Sequence, residues 1–222
     1  MKRYAVTLHG KSPLLMHRDN ISFGEKVRKW QIDPQNKKDS VAGDDRSPAW
    51  TWIGYLYSDG QHVGIDSDNL MTMLREGGSR LLTGKKNETY KKQTQYGILL
   101  DQIQFDFFVR GEQIPVKGIN ALVGNNDFAA HEAWAEDHGF ELLTKRARIG
   151  QGKHVRVRPM FRDWIASGTL TVLDEDQSGL TRDILQRVLD LAGSMCGLGD
   201  WRPSSKTPGS FGRFAATVEP LG

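Results

Sequence analysis

The sequence predicts a mixed α+β fold built on a mainly antiparallel sheet. Three observations lead there. Strand-like segments open and close the chain, at residues 4–8 and 214–218. Segments with helical periodicity and capping residues lie between them, the clearest starting at Thr181. The chain has 222 residues, enough to bury a full hydrophobic core.

Residues 4–8 alternate with period two and carry β-formers, which predicts a first strand. Gly10 and Pro13 interrupt regular pairing. The apolar run Leu14, Leu15, Met16 ends at once in His17, Arg18, Asp19 and Asn20, a polar and cationic group set on a loop. Residues 20–50 are polar without clear periodicity and read as a long inserted surface loop. Residues 50–57 and 62–65 flank Ser58-Asp59-Gly60, a hairpin signal. Asp66 through Asn69 offer caps for a helix containing Leu70, Met73 and Leu74, ended by Gly77 and Gly78. A second helix is expected over 87–99, and a strand over 103–109 closed by Arg110-Gly111-Glu112. The pattern weakens over 117–149, with a short helix at 129–137 stopped by Gly139. Residues 155–161 alternate strictly, setting Arg156 and Arg158 on one face and Val155 and Val157 on the other. Trp164 and residues 168–173 continue the β-structure. In the last helix Ile184, Val188, Leu191, Ala192 and Met195 share a face, and Gly197-Leu198-Gly199 ends it. This order predicts one ferredoxin-like (RRM-like) β-α-β-β-α-β domain over 1–222, with helices on one face of the sheet. Its large insertions would be 20–50 and 115–153.

Composition narrows the function classes. The net charge is +3, from 30 basic and 27 acidic residues, so any polyanion site depends on where charges gather. Cys196 is the only cysteine, which excludes an internal disulfide and suits a reducing compartment. No apolar stretch approaches the ~20 residues that span a bilayer. The basic start is followed by strand-like alternation rather than an apolar signal core, so a cytoplasmic protein without a membrane partner is expected. The six histidines show no zinc spacing, and neither a Walker A motif nor a nucleophile elbow occurs. No metal or cofactor is expected, no catalytic residue is assigned, and binding is favoured over catalysis.

Three features point to a phosphate backbone. The stretch from Lys145 to Arg158 contains Lys145, Arg146, Arg148, Lys153, Arg156 and Arg158 and no acid, with a turn at 150–152. Uninterrupted like charge is unfavourable without a partner, although it also protects an edge strand from pairing. The closing loop carries Gly197, Gly199, Gly209 and Gly212 beside Arg202 and Arg213. Its amides are candidates for an anion nest, and Trp201 and Phe211 for stacking on bases. The same glycines also suit a helix cap and a tight turn. Third, Arg18 is placed to grip a phosphate, with His17 beside it.

The ends of the chain carry a family resemblance. Residues 6–15, the last helix, and Gly197-Leu198-Gly199 through Gly209-Ser210-Phe211-Gly212-Arg213-Phe214 resemble the repeat-associated mysterious protein (RAMP) superfamily. Within it the chain is most similar to the backbone subunit that coats guide RNA in CRISPR effector complexes, in antiviral defence. The resemblance implies an RRM-like palm, with a thumb-like β-hairpin from Lys145 to Arg158 and a basic loop after Met16. It implies sequence-independent binding of single-stranded guide RNA as a repeating subunit, with further copies, other complex subunits, and target DNA or RNA as partners. It covers the first 20 and last 70 residues. The chain departs from the family in its short length and in Asp200-Trp201 and Pro203 within the closing loop. A phage single-stranded DNA-binding or annealing protein, a CRISPR RNA-processing endoribonuclease using His17, and an inhibitor imitating a CRISPR subunit remain as alternatives. The aspartate with which some relatives cut RNA has Asp19 as its nearest counterpart, and catalysis is not carried over.

Overall fold

The computed structural model describes residues 1–149 and 152–222, with the side chain of residue 149 also excluded. In chain order the elements are β1 (Lys2–Gly10), β2 (Leu14–Leu15), α1 (Ile21–Ile32), β3 (Gly64–Asp66), α2 (Ser67–Gly78), α3 (Lys91–Tyr96), β4 (Ile98–Leu100), β5 (Gln104–Val109) and β6 (Glu112–Gln113). Then come α4 (Val116–Asn120), α5 (Phe128–Asp137), β7 (Glu141–Ile149), β8 (Gly152–Phe161), β9 (Trp164–Val172), α6 (Glu175–Ser178), α7 (Arg182–Leu191) and β10 (Phe214–Leu221). The fold is mixed α+β with antiparallel sheets, as the sequence predicts. One sheet has the order β10-β1-β9-β5-β3, with β4 also on β9 and β6 on β5; the other has the order β2-β8-β7.

The period-two strands bury one face. Tyr4, Val6 and Leu8 of β1, Ala166, Leu170 and Val172 of β9, and Phe214 and Val218 of β10 join one core with Leu70, Met73 and Leu74 of α2 and Leu185, Val188 and Leu189 of α7. The opposite face mixes polar and apolar side chains, among them Thr7, His9, Phe108 and Ile165. Thr7 lies there between Thr217 and Ser167, and His9 between Ala215 and Ile165. The outer edge, β10, is closed by α7: Arg182 donates to the Val218 carbonyl and Gln186 to the Ala216 carbonyl. Carbonyls that would otherwise recruit another strand are thus occupied.

Several expectations are corrected. Residues 20–50 are not one loop. Asn20 caps α1 by accepting from the Phe23 amide. Phe23, Val27 and Trp30 then pack on the core at i, i+4, i+7 spacing. Residues 50–57 are not a strand: Ala49–Tyr55 is a 3-10 helix with Trp50, Trp52 and Ile53 buried. Apolar residues on consecutive positions suit a segment wrapped by protein on all sides, and high β-propensity does not override that. The helix expected over 87–99 shrinks to α3, because Ile98–Leu100 leave it to pair with β9. In the last helix Leu185 and Leu189 join Val188 and Ala192 inside, while Met195 is 48% exposed. A π-helical turn over Ala192–Cys196 rotates the chain and turns Cys196 inward instead. A β-hairpin is present over the expected segment as β7–β8, paired from Glu141↔Met160 to Ile149↔Gly152. It extends to Phe161, so the expected boundary at 153 falls inside a strand. Its expected turn includes Gly150 and Gln151, which lie outside the described residues.

His131 is fully buried on α5. Its Nδ1 accepts from the Trp52 indole N–H at 3.1 Å, so Nε2 carries the proton and donates to the Asn125 carbonyl at 2.8 Å. Burial holds this imidazole below its ordinary 6.5, against opposing effects of the Asn125 bond and the Asp127 charge. A base with a lowered folded-state pKa favours unfolding when it must be protonated. Its contribution is therefore complete above 6.5 and declines as pH falls below it, by up to about 1.4 kcal/mol per pH unit. Urea unfolding between pH 7 and 5 should show a shallower pH dependence in His131→Gln than in wild type. Parallel curves would remove His131 as the cause.

Candidate nucleic-acid interface

The site forms where three chain segments distant in sequence meet on the β7–β8 hairpin. In the hairpin register Leu143, Lys145 and Ala147 stand opposite Arg158, Arg156 and His154, which puts them on one face. Arg146 and Arg148 pair with Val155 and Lys153 and lie on the other face. The alternation of Arg156 and Arg158 against Val155 and Val157 is as expected. The basic stretch as a whole is divided between two faces, because period two separates Lys145 from its neighbours.

The central correction concerns Arg156 and Arg158. Both are paired within the fold, through an acid that the basic stretch itself does not contain. Residues 43–45 run beside β8, with the Val155 amide donating to the Gly43 carbonyl and the Asp45 amide to the Val155 carbonyl. This places Asp45, 6% exposed, beneath the hairpin. Its carboxylate accepts from Arg156 Nη1 at 2.7 Å, Arg158 Nη1 at 3.1 Å, the Val157 amide at 3.2 Å and the Tyr55 hydroxyl at 3.2 Å. The Arg158 guanidinium also lies 4.4 Å from the Tyr55 ring centroid and 3.3 Å from Asp200 Oδ2. These two arginines are organising residues first, with Arg156 still one-third exposed.

His17 is brought to the same place. The Met16 amide donates to the Pro159 carbonyl and the Tyr57 hydroxyl to the His17 carbonyl, fixing the segment between β8 and the 3-10 helix. Nε2 of His17 lies 3.3 Å from Arg158 Nη2. A guanidinium only donates, so Nε2 accepts and Nδ1 carries the proton, facing Asp200 Oδ2 at 3.5 Å. Burial pushes the Asp200 carboxyl up, but the His17 hydrogen bond, the Arg158 charge and the Trp201 amide bring it below its ordinary value. Asp200 is therefore ionised at neutral pH. Arg18 turns away, toward the Ser58 carbonyl at 3.4 Å and Asp66 at 3.8 Å. Asp19 is exposed on the same loop.

The closing loop is internally bonded, which corrects the anion-nest expectation. The amides of Leu198, Asp200, Gly209, Phe211 and Gly212 donate to the carbonyls of Gly212, Leu15, Arg202, Trp201 and Pro13. At Gly199 and Gly212, φ is +76° and +71°. A Cβ at these two positions would overlap the Leu15 and Leu198 carbonyls. Gly197 and Gly209 likewise face Pro203 and the Trp201 carbonyl. The glycines thus serve close packing within the loop and against β2. Arg202 donates to Glu76, Ser204 and the Gly199 carbonyl, so it ties the loop to α2 instead of facing a ligand. Arg213 is exposed, and its amide donates to the Ser12 hydroxyl.

The loop does present aromatic surface. Trp201 is 38% exposed, with its backbone in the left-handed region at φ +53°. It stacks on Phe211, with centroids 5.9 Å apart and planes 22° from parallel. Lys145 Nζ lies 4.4 Å from the Trp201 centroid and 5.8 Å from that of Phe211. Between this stack and the hairpin runs a groove of about 240 Å³ lined by Leu15, Leu143, Lys145, Arg146, Ala147, Arg156, Arg158, Asp200 and Trp201. Arg146, Arg148 and Lys153 are exposed farther along the hairpin. Of the expected residues, His17, Lys145, Arg156, Arg158, Trp201 and Phe211 are brought together, whereas Arg18 and Arg202 point elsewhere. Asp45, Tyr55 and Glu76 escaped sequence reading, and only tertiary contact identifies them. No protein-family model matches the chain, and no curated protein matches it.

Proposed function

We propose that the chain binds single-stranded nucleic acid, RNA in particular, along the hairpin and the closing loop, without reading sequence. The observation that carries this is the convergence of His17, Lys145, Arg156 and Arg158 with the Trp201–Phe211 stack on one face of the hairpin. Cations beside exposed aromatic rings are the combination that an unpaired strand needs, since phosphates take the charge and bases stack. Arg146, Arg148 and Lys153, on the other face of the hairpin, add exposed positive charge that a strand wrapping the hairpin would meet.

The strand order β10-β1-β9-β5, with α2 and α7 against one face, is the order expected of a ferredoxin-like core. Together with the hairpin inserted between β5 and β9, it supports the RAMP-type reading: a repeating subunit that coats a guide RNA within a CRISPR-type ribonucleoprotein.

Salt dependence tests the reading. Binding of a single-stranded RNA of ~30 nucleotides should weaken linearly in log–log form as salt rises. The combined variant Arg146→Ser, Arg148→Ser, Lys153→Ser should flatten that slope by about 2, at roughly 0.7 for each phosphate no longer neutralised. An unaltered slope would remove the outer hairpin from the interface. Competition with DNA of the same sequence distinguishes a phage DNA-binding role, because only RNA offers a 2′-hydroxyl.

A further inference from the structure

We infer that the groove between Trp201 and the hairpin is a slot for one unpaired nucleobase, and that Lys145 is the latch that occupies it in the free protein. This inference rests on the nucleic-acid reading above and specifies how one nucleotide is held. Three observations lead to it. First, Leu15, Leu143 and Ala147 give the groove an apolar floor, and the Trp201 ring forms a wall. Its volume of about 240 Å³ is below the ~300 Å³ at which pockets for drug-sized ligands begin, and suits a single flat ring.

Second, Trp201 is held where a bulky side chain is unfavourable. It takes φ +53° and yet remains 38% exposed, so core burial does not explain the strain. Its own carbonyl accepts from the Phe211 amide and closely faces Gly209, which fixes the backbone in that conformation. A strained, over-determined exposed aromatic is the pattern of a ligand contact. Third, the rim is charged for a nucleotide's phosphate. Arg156 pairs with Asp45 and Arg158 with Asp45 and Asp200, and Lys145 and Arg146 also line the groove. Of the cations, Lys145 is the one over the ring, at 4.4 Å from its centroid.

An ammonium over an exposed ring is a weak contact on a flexible stem. A base entering the slot replaces it on Trp201, and the lysine swings outward to the adjoining phosphate. The exchange keeps the ring covered in both states and adds one stacked base for each copy of the chain. Base stacking on an aromatic is worth about fivefold to a hundredfold in affinity.

The test compares two probes of equal phosphate count: an oligouridine of about ten nucleotides and its fully abasic counterpart. Their affinities are measured by fluorescence anisotropy at low salt. Wild type should bind the oligouridine about tenfold more tightly. Trp201→Ala should abolish this preference while leaving affinity for the abasic probe within about twofold, and Trp201→Phe, which keeps a ring, should retain part of it. Lys145→Met should weaken binding of both probes and preserve their ratio. Equal binding of the two probes by wild type, or a preference that survives in Trp201→Ala, overturns the slot while leaving phosphate binding intact. Failure of wild type to bind either probe overturns the slot and the nucleic-acid reading together.

Discussion

Gly212→Ala should destabilise the protein by about 3 kcal/mol or more, lowering Tm by roughly 10 °C. Two effects combine at this position. The backbone sits at φ +71°, which a Cβ disfavours, and that Cβ would overlap the Leu198 carbonyl. Relief by movement is blocked, because the Gly212 amide donates to the Pro13 carbonyl and its carbonyl accepts from the Leu198 amide. These bonds join the closing loop to the β1–β2 turn, so the damage should extend to β2 and to the hairpin sheet resting on it. Gly60→Ala is the control. Gly60 has φ +96° but open space around it, so only the conformational cost of about 1–2 kcal/mol applies there. Thermal melts of the two variants separate conformation from overlap. Equal losses would mean that the loop yields around Gly212.

Asp45→Asn should also cost about 3 kcal/mol, for an electrostatic reason. The substitution keeps the shape but leaves two guanidinium groups facing a neutral amide, and removing one partner of a buried ion pair is expensive. The lower end of the usual range applies, because Arg156 is one-third exposed and water screens part of its charge. The same variant should bind RNA more tightly under conditions where it remains folded, with a salt slope steeper by up to about 0.7, as Arg156 becomes available to a phosphate while Arg158 stays on Asp200. Stability and affinity should therefore move in opposite directions. Urea unfolding and salt titration on one preparation check both. A variant that loses stability and affinity together would show that Asp45 orients these arginines for the ligand instead of restraining them.

The fold was legible in the sequence wherever periodicity was strict. Residues 4–8 and 155–161 alternate, and each segment lies in a strand; the strand expected over 103–109 is present from Gln104. Thr181 caps α7 as expected, by accepting from the Ile184 amide. Legibility failed where burial departs from one face per element. Trp50, Trp52 and Ile53 have strong β-propensity, yet they pack on several sides of a 3-10 helix. In α1 the polar residues outnumber Phe23, Val27 and Trp30, although Asn20 and the spacing of those three were visible signals.

The site was legible in its cations and aromatics but not in its acids. Lys145, Arg156 and Trp201 stand out locally, whereas the partner that sets the role of Arg156 is Asp45, 111 residues away. Nothing around Asp45 in the sequence marks it. The glycines of the closing loop stand out in the sequence, but the Gly209 and Gly212 amides donate to the Arg202 and Pro13 carbonyls. Sequence shows that a glycine is required, while only the fold shows what approaches it.

Photo-crosslinking locates the bound strand most directly. Single-stranded RNA carrying 4-thiouridine should crosslink within residues 143–158, at Trp201, and near His17, with the crosslinks competed away by unlabelled RNA. Crosslinks confined to the open sheet face around Thr7 and Ile165, or none above background at low salt, would contradict the account.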